Sequence, residues 1–136
     1  MDKKTNLTAK IKALGFPGKE IAVTVDDFFE GNAEPGSIGP NIYPSQPSPK
    51  EFHDKLNDLK NTDKVVDILV RIADVEDLGW PYTDTVYFIT DMTKEELAAN
   101  LMDLFPDEIY DDWMYGKPVN APAIKEGMKV YSVWWD

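Results

Sequence analysis

Two helix-start signals, separated by strand-like sequence, constrain the fold of this chain more than any other feature. Residues 48–51 (SPKE) and 93–96 (TKEE) each place a hydroxyl side chain three positions before a glutamate, which is the spacing of a capping box. Apolar residues follow each box at helical spacing, and we therefore predict a helix after each one. The two apolar stripes are Phe52, Leu56 and Leu59, and Leu97, Leu101 and Leu104.

Four segments rich in β-forming residues surround these helices, at residues 21–29, 65–75, 84–90 and 129–135. With a short N-terminal helix over residues 3–14, the order becomes β-α-β-β-α-β. This order predicts an α+β fold of the ferredoxin-like type, an antiparallel sheet with two helices on one face. We expect a single domain over residues 1–136, with residues 106–128 irregular because prolines and glycines interrupt them.

The residue types exclude several kinds of chemistry. The chain has no cysteine and one histidine, His53, so thiolate zinc sites and the usual serine or cysteine triads lack their components. His53 follows Phe52 on the first capped helix and is expected to face solvent. We predict no catalytic residue, no metal site and no cofactor.

The charge is strongly negative and uneven. The net charge is −11, yet residues 1–20 carry +3, so the remainder carries −14. Such a surface repels nucleic acid and suits a basic protein partner. Neither an apolar run of the roughly 20 residues needed to span a bilayer nor a secretory leader is visible, so we expect a cytoplasmic protein without membrane contact. The oligomeric state stays open.

Residues 25–41 (VDDFFEGNAEPGSIGPN) carry the densest group of candidate site residues, Asp26, Asp27 and Glu30. An EF-hand calcium loop that starts at Asp26 or Asp27 has a phenylalanine at its third position, where a ligand is required, so this motif is excluded. A phosphate-binding loop is disfavoured as well, because Pro40 removes an amide donor that such a loop needs. On a regular strand, Asp26 and Asp27 point to opposite faces and cannot act as a pair. We expect Asp27 to bind amides of the loop, with a pocket-facing role as the alternative.

Aromatic residues crowd the second half of the chain and include all four tryptophans. We expect residues 106–128 to fold over the open face of the sheet, since an open face bearing tryptophan should not stay wet. Arg71, the only arginine, is predicted to form an ion pair with Asp67, with anion binding as the alternative. The candidate binding residues are Asp26, Asp27, Glu30, Asn41, Trp80, Asp111, Asp112, Trp113 and Trp135.

The motifs FFEGN and GSIG after the first predicted strand, WPYTDTVYFIT around the third and the terminal VYSVWWD support a family assignment. With these motifs the chain resembles a family of small, acidic, uncharacterised bacterial proteins from residue 23 onward. The resemblance implies a single cytoplasmic domain and no particular activity. By size and charge the chain is also similar in type to immunity proteins that neutralise bacterial toxins.

Two functions follow as hypotheses. The first is a non-enzymatic, acidic protein-interaction domain, with immunity to a basic toxin as its sharpest version. The alternative is a small-molecule-binding or hydrolytic domain with a carboxylate-lined pocket near residues 30–49. The first predicts an acidic patch with aromatics at its centre, whereas the second predicts an enclosed site with a perturbed carboxylate.

Overall fold

The computed structural model describes residues 2–75 and 79–136. Within these ranges, the chain forms four α-helices, one 3₁₀ turn and five strands. The helices are α1 (Lys3–Ala13), α2 (Val25–Phe29), α3 (Pro49–Lys60) and α4 (Lys94–Asn100), with the 3₁₀ turn at Met102–Leu104. The strands are β1 (Ala22–Thr24), β2 (Val65–Arg71), β3 (Thr85–Thr90), β4 (Glu108–Asp111) and β5 (Lys129–Trp134).

The two capping boxes are present as predicted. The side chains of Ser48 and Thr93 each accept a hydrogen bond from a backbone N–H three residues on, and Glu51 and Glu96 accept in return from the cap amides. Each box satisfies amides that would otherwise lack a partner at the start of a helix. The predicted apolar stripes are buried. The second stripe runs past α4, because Leu101 is the C-cap of that helix and Leu104 lies in the 3₁₀ turn.

The sheet confirms the α+β class, but its strand order does not clearly match the ferredoxin-like arrangement. The order is β1-β2-β3-β5-β4, and every neighbouring pair is antiparallel. A split βαβ unit places another strand between its first two strands, whereas Val23 of β1 pairs directly with Val70 of β2. The sequence did not predict this strand order, because strand pairing joins segments far apart in sequence, which local patterns do not encode.

The first predicted strand, residues 21–29, is wrong beyond Thr24. Only β1 is extended, and α2 follows it immediately. The Thr24 side chain accepts a hydrogen bond from the Asp27 amide at 3.1 Å, and two aspartates occupy the first turn. Both features stabilise a helix start, because they satisfy free amides and complement the helix dipole.

The two faces of the sheet are covered by different parts of the chain. All four helices contribute to one large apolar cluster, in which Phe52 packs edge-on against Trp135 at 5.5 Å between ring centres. The opposite face carries a smaller cluster around Tyr87 and Ile89, against which Trp113, Ala121, Ile124 and Met128 pack. Residues 106–128 therefore do cover the open face in part, but they are not wholly irregular, because they contain the edge strand β4.

In the described part of the chain, no helix is both long and apolar enough to cross a membrane.

Candidate functional site

The first candidate region is a cavity of about 220 Å³ between α1 and α2, which we call the α1–α2 groove. Its walls include the carboxylates Asp26, Asp27 and Glu30, and the groove also contains two lysines of α1. Helix α1 is held in place by Leu7 and Ile11, whose side chains are buried in the main core. The full lining is Lys3, Asn6, Leu7, Lys10, Asp26, Asp27 and Glu30.

Each carboxylate of the groove is already bound within the chain. Lys10 Nζ donates to Asp27, and Lys3 Nζ lies 2.7 Å from Glu30 Oε1. Asp26 Oδ1 lies 2.9 Å from His53 Nε2 and 3.3 Å from Asn57 Nδ2. Asp27 therefore binds a lysine of α1, which differs from the loop-amide role that the sequence led us to expect.

The hydrogen bonds to Asp26 have an electrostatic consequence. The bond from His53, followed by the bond from Asn57, holds the pKa of Asp26 below its ordinary value. A carboxylate only accepts hydrogen bonds, so His53 Nε2 carries the hydrogen in this pair. A carboxyl with a lowered pKa stays ionised at neutral pH and makes a poor general acid.

His53 is less exposed to solvent than predicted. Its ring stacks on Phe29 at 5.7 Å between centres, and its side chain is only partly exposed. This contact exists because Phe29 lies in the helix α2. The sequence had predicted a strand over residues 21–29, so the contact was not expected. Because His53 links α3 to α2, its position serves packing between the two helices.

The second candidate region runs along β4 and the turn that follows it. We call it the acidic edge and define it as Glu108, Tyr110, Asp111, Asp112, Met114 and Tyr115. Tyr110, Met114 and Tyr115 are large side chains that remain 38%, 37% and 37% exposed. Asp111 lies 3.3 Å from Lys94, whereas Glu108 and Asp112 have no ion-pair partner among the described residues. Sequence reasoning identified Asp111 and Asp112 but missed Glu108, Tyr110, Met114 and Tyr115, since β4 was not predicted.

Two backbone contacts hold the acidic edge against the sheet. The amide of Met114 donates to Ser132 Oγ at 2.9 Å, and the amide of Asp112 donates to the carbonyl of Val130 at 2.8 Å. Trp113, a predicted binding residue, packs edge-on against Tyr87 at 4.9 Å. Trp113 is therefore an anchor of the edge, and its neighbours carry the exposed surface.

Arg71 lies beside the acidic edge in a nearly closed environment, with 12% of its side chain exposed. Nε and Nη2 donate to the two carboxylate oxygens of Glu20 at 2.7 and 3.1 Å, and Nη1 lies 3.5 Å from Asp84. The ring of Tyr115 stacks on the guanidinium at 3.5 Å. Burial disfavours the charged form, but the two carboxylates outweigh it and raise the pKa of Arg71.

The ion pair predicted for Arg71 therefore exists with other partners. Asp67 lies 3.7 Å from Lys60 and does not pair with Arg71. Glu20 is far from Arg71 in sequence, and its position is set by the register that aligns Ala22 with Arg71. Because Glu20 and Asp84 bind its N–H groups and Tyr115 covers one face, Arg71 has little capacity left for an anion.

The two other tryptophans proposed for binding lie in the core. Trp80 Nε1 donates to the carbonyl of Phe28 at 2.7 Å, and Trp135 Nε1 donates to the carbonyl of Leu104 at 2.8 Å. Both side chains are buried. Asn41 is exposed and lines a separate notch with two aromatic and two acidic side chains.

The loop at residues 30–49 borders a cavity of about 330 Å³. Its walls are amide, hydroxyl, lysine and proline side chains, with no carboxylate among the described residues that form it. A larger cavity of about 540 Å³ adjoins Arg71, whose charged atoms already bind Glu20 and Asp84. In the described ranges, no group of three histidine, aspartate or glutamate residues is placed to hold a metal ion.

Taken together, the geometry defines an acidic α+β protein whose N-terminal carboxylates are internally paired and whose edge-strand carboxylates are largely unpaired. The chain belongs to the family described as "Uncharacterized protein YfbO family", whose model matches residues 2–133. This match confirms the resemblance to a family of uncharacterised bacterial proteins. One relative, "Uncharacterized protein YfbO" of Escherichia coli (strain K12), is 29% identical over 115 residues, covering 84% of this chain and 81% of that protein. No solved structure matches the chain.

Proposed function

We propose that the protein is a non-enzymatic interaction domain that binds a basic protein through the acidic edge. The observation that carries this proposal is the combination of unpaired carboxylates, Glu108 and Asp112, with the exposed side chains of Tyr110, Met114 and Tyr115. Tyrosine and methionine are enriched at protein interfaces, where they supply contact area that a polar rim surrounds. The edge therefore has the composition of a docking surface.

Electrostatics favours a basic partner. Residues 21–136 carry a net charge of −14. Helix α1, which carries Lys3 and Lys10, packs into the core on the helix-covered face of the sheet. Lys3 and Lys10 are engaged by Glu30 and Asp27, so they do not neutralise the edge. Complementary charge of this kind accelerates encounter and suppresses wrong partners.

The enzymatic alternative has less support. A carboxyl that acts as a general acid needs a pKa raised toward neutrality, and that of Asp26 is lowered. Carboxylates line two cavities that adjoin residues 30–49, the α1–α2 groove at Glu30 and the notch at Asn41, but each measures only about 220 Å³, below the roughly 300 Å³ at which small-molecule sites usually begin. In its most specific form, the proposal is that the protein binds a basic toxin, as an immunity protein does. A partner encoded beside this protein's own gene would support this form.

The test is affinity capture from a lysate of the native host, with mass spectrometry of the bound proteins. The edge variant is Glu108→Lys/Asp112→Asn, in which asparagine tolerates the positive φ of 66° at position 112. The matched control is Asp58→Lys/Asp63→Asn, which changes the charge equally at two exposed positions remote from β4 in sequence.

We expect wild type and control to capture the same basic protein and the edge variant to lose it. With that protein purified, wild-type association should slow steeply as salt rises, because the steering charges are screened. Capture of no specific protein, or equal capture by the edge variant, would overturn the proposal.

A further inference from the structure

A small acidic and aromatic notch lies where β5 ends and β4 begins. Its volume is about 220 Å³, and we call it the Phe105 notch. Tyr43 and Phe105 on its walls are 90% and 53% exposed. Sites for drug-sized ligands are usually larger, at roughly 300 to 1,000 Å³, so this notch suits a single side chain. Its lining residues are Asn41, Ile42, Tyr43, Phe105, Asp107 and Asp136.

Backbone contacts fix the groups of the notch. Phe105 follows the 3₁₀ turn with a φ of 56°, and its amide donates to the carbonyl of Met102 at 3.2 Å. The amide of Asp107 donates to the carbonyl of Trp134 at 2.9 Å. The amide of Asp136 in turn donates to Asp107 Oδ2 at 2.6 Å. Phe105 is therefore held by the 3₁₀ turn and Asp107 by the end of β5, and the Asp136 amide is bound to the Asp107 carboxylate.

The protein already shows how such a set of groups binds a guanidinium. Arg71 is held by two carboxylates, Glu20 and Asp84, and by the face of Tyr115. The Phe105 notch offers the same kinds of group, two carboxylates beside two aromatic rings, and no basic side chain is among its described lining residues. The α1–α2 groove differs, because Lys3 and Lys10 form part of its wall.

We propose that the Phe105 notch receives one arginine side chain of the basic partner. The planar guanidinium stacks on the aromatic wall while its N–H groups donate to Asp107 and Asp136. Arginine fits better than lysine because it combines a flat face with a fork of donors. This inference rests on the proposed function, since it names the anchor group of the same partner, and Asp107 directly precedes the acidic edge.

A peptide titration tests the notch without the partner. The probes are the capped tripeptides Gly-Arg-Gly, Gly-Lys-Gly and Gly-citrulline-Gly, added to the full chain and followed by NMR of the backbone amides. Citrulline keeps the shape of arginine but removes its charge. We expect saturable shifts with the arginine peptide, centred on Asn41, Phe105, Asp107 and Asp136, weaker binding of the lysine peptide and no saturation with citrulline.

Three variants make the titration specific. Phe105→Asn removes the ring but tolerates the positive φ, and the dissociation constant should rise at least about threefold. Asp107→Asn keeps an acceptor for the Asp136 amide, and binding should weaken about tenfold through loss of a charged acceptor. Asp103→Asn removes the same charge from the adjacent 3₁₀ turn, outside the notch lining, and should change binding by less than about twofold.

The outcomes separate the notch from the wider function. Equal binding of lysine and arginine peptides, shifts centred elsewhere, or an unchanged constant for Phe105→Asn would overturn the notch proposal. If the titration succeeds but no basic protein is captured from the lysate, the interaction function fails and the arginine subsite stands. If a basic protein is captured but the titration fails, the interaction function stands and the arginine subsite fails.

Discussion

The α1–α2 groove and the acidic edge both concentrate carboxylates, yet they hold them in opposite ways. In the groove, Asp27 and Glu30 bind lysines of α1, and that helix is itself anchored by buried apolar side chains. On the edge, Glu108 and Asp112 have no ion-pair partner among the described residues. The first arrangement stabilises a helix on the fold, and the second leaves charge available to a partner. Carboxylate density by itself therefore does not identify a binding surface.

The largest expected effect is a difference in the free energy of unfolding between a variant of a buried residue in α1 and a variant of an exposed residue on the acidic edge. Ile11 of α1 is fully buried, so Ile11→Ala should lower the free energy of unfolding by about 2–5 kcal/mol. Met114 on the acidic edge is exposed, and Met114→Ala should change it by only about 0.5 kcal/mol. Urea unfolding of both variants measures the difference. Similar losses for the two would mean that the edge is as structural as the groove.

A smaller effect on stability is expected when charges are removed, and its sign should differ between the paired lysines of the groove and the unpaired carboxylates of the edge. Lys3→Gln/Lys10→Gln leaves two groove carboxylates without partners and should destabilise the fold by up to about 1 kcal/mol, the range of exposed ion pairs. Glu108→Gln/Asp112→Asn removes unpaired negative charge from an acidic protein and should be neutral or slightly stabilising, because like-charge repulsion falls.

Unfolding at low and at high salt checks this pair of variants. The difference between the two double variants should shrink at 1 M salt, since the screening length falls to about 3 Å. If the edge variant destabilises the protein as much as the groove variant does, the edge carboxylates have internal partners and the comparison fails.

The sequence predicted the parts of the fold that local chemistry determines. Both capped helices follow from hydroxyl and glutamate residues three positions apart, and β5 follows from a run of β-formers. The short helix α2 was missed because alternating apolar residues from Ile21 to Val25 imitate a strand. A signal for it was nevertheless present, since Thr24 followed by Asp26 and Asp27 is a favourable helix start.

The site was harder to predict because it depends on pairing across long sequence distances. Nothing near Arg71 in sequence indicates Glu20 or Tyr115, and the aromatic contact exists only because residues 112–115 cross the sheet face. The strand β4 is four residues long and mostly exposed, so it lacks the alternating burial that identifies a strand. Asp111, Asp112 and Asn41 were identified by charge and polarity, whereas the residues that surround them on the acidic edge and in the notch were not.

The smallest expected effect is a pH dependence that belongs to the groove and not to the edge. The bond from His53, and then that from Asn57, lowers the pKa of Asp26 from its ordinary value of 3.8. A depressed pKa contributes stability that is complete above 3.8 and is lost as the pH falls through the lower, folded-state value. Asp26→Asn cannot titrate, so it should lose less stability than wild type between pH 5 and about pH 2.5, the range in which an ordinary aspartate becomes protonated.

Glu108→Gln serves as the matched control, because the Glu108 side chain has no hydrogen bond or ion pair among the described residues. It should follow the wild-type pH profile more closely than Asp26→Asn does, since the substitution removes no hydrogen bond or ion pair of the described residues. Urea midpoints for the three proteins across this pH range provide the measurement. A profile flattened by Glu108→Gln and unchanged by Asp26→Asn would reverse the assignment, placing the internally bound carboxylate on the edge and the free one in the groove.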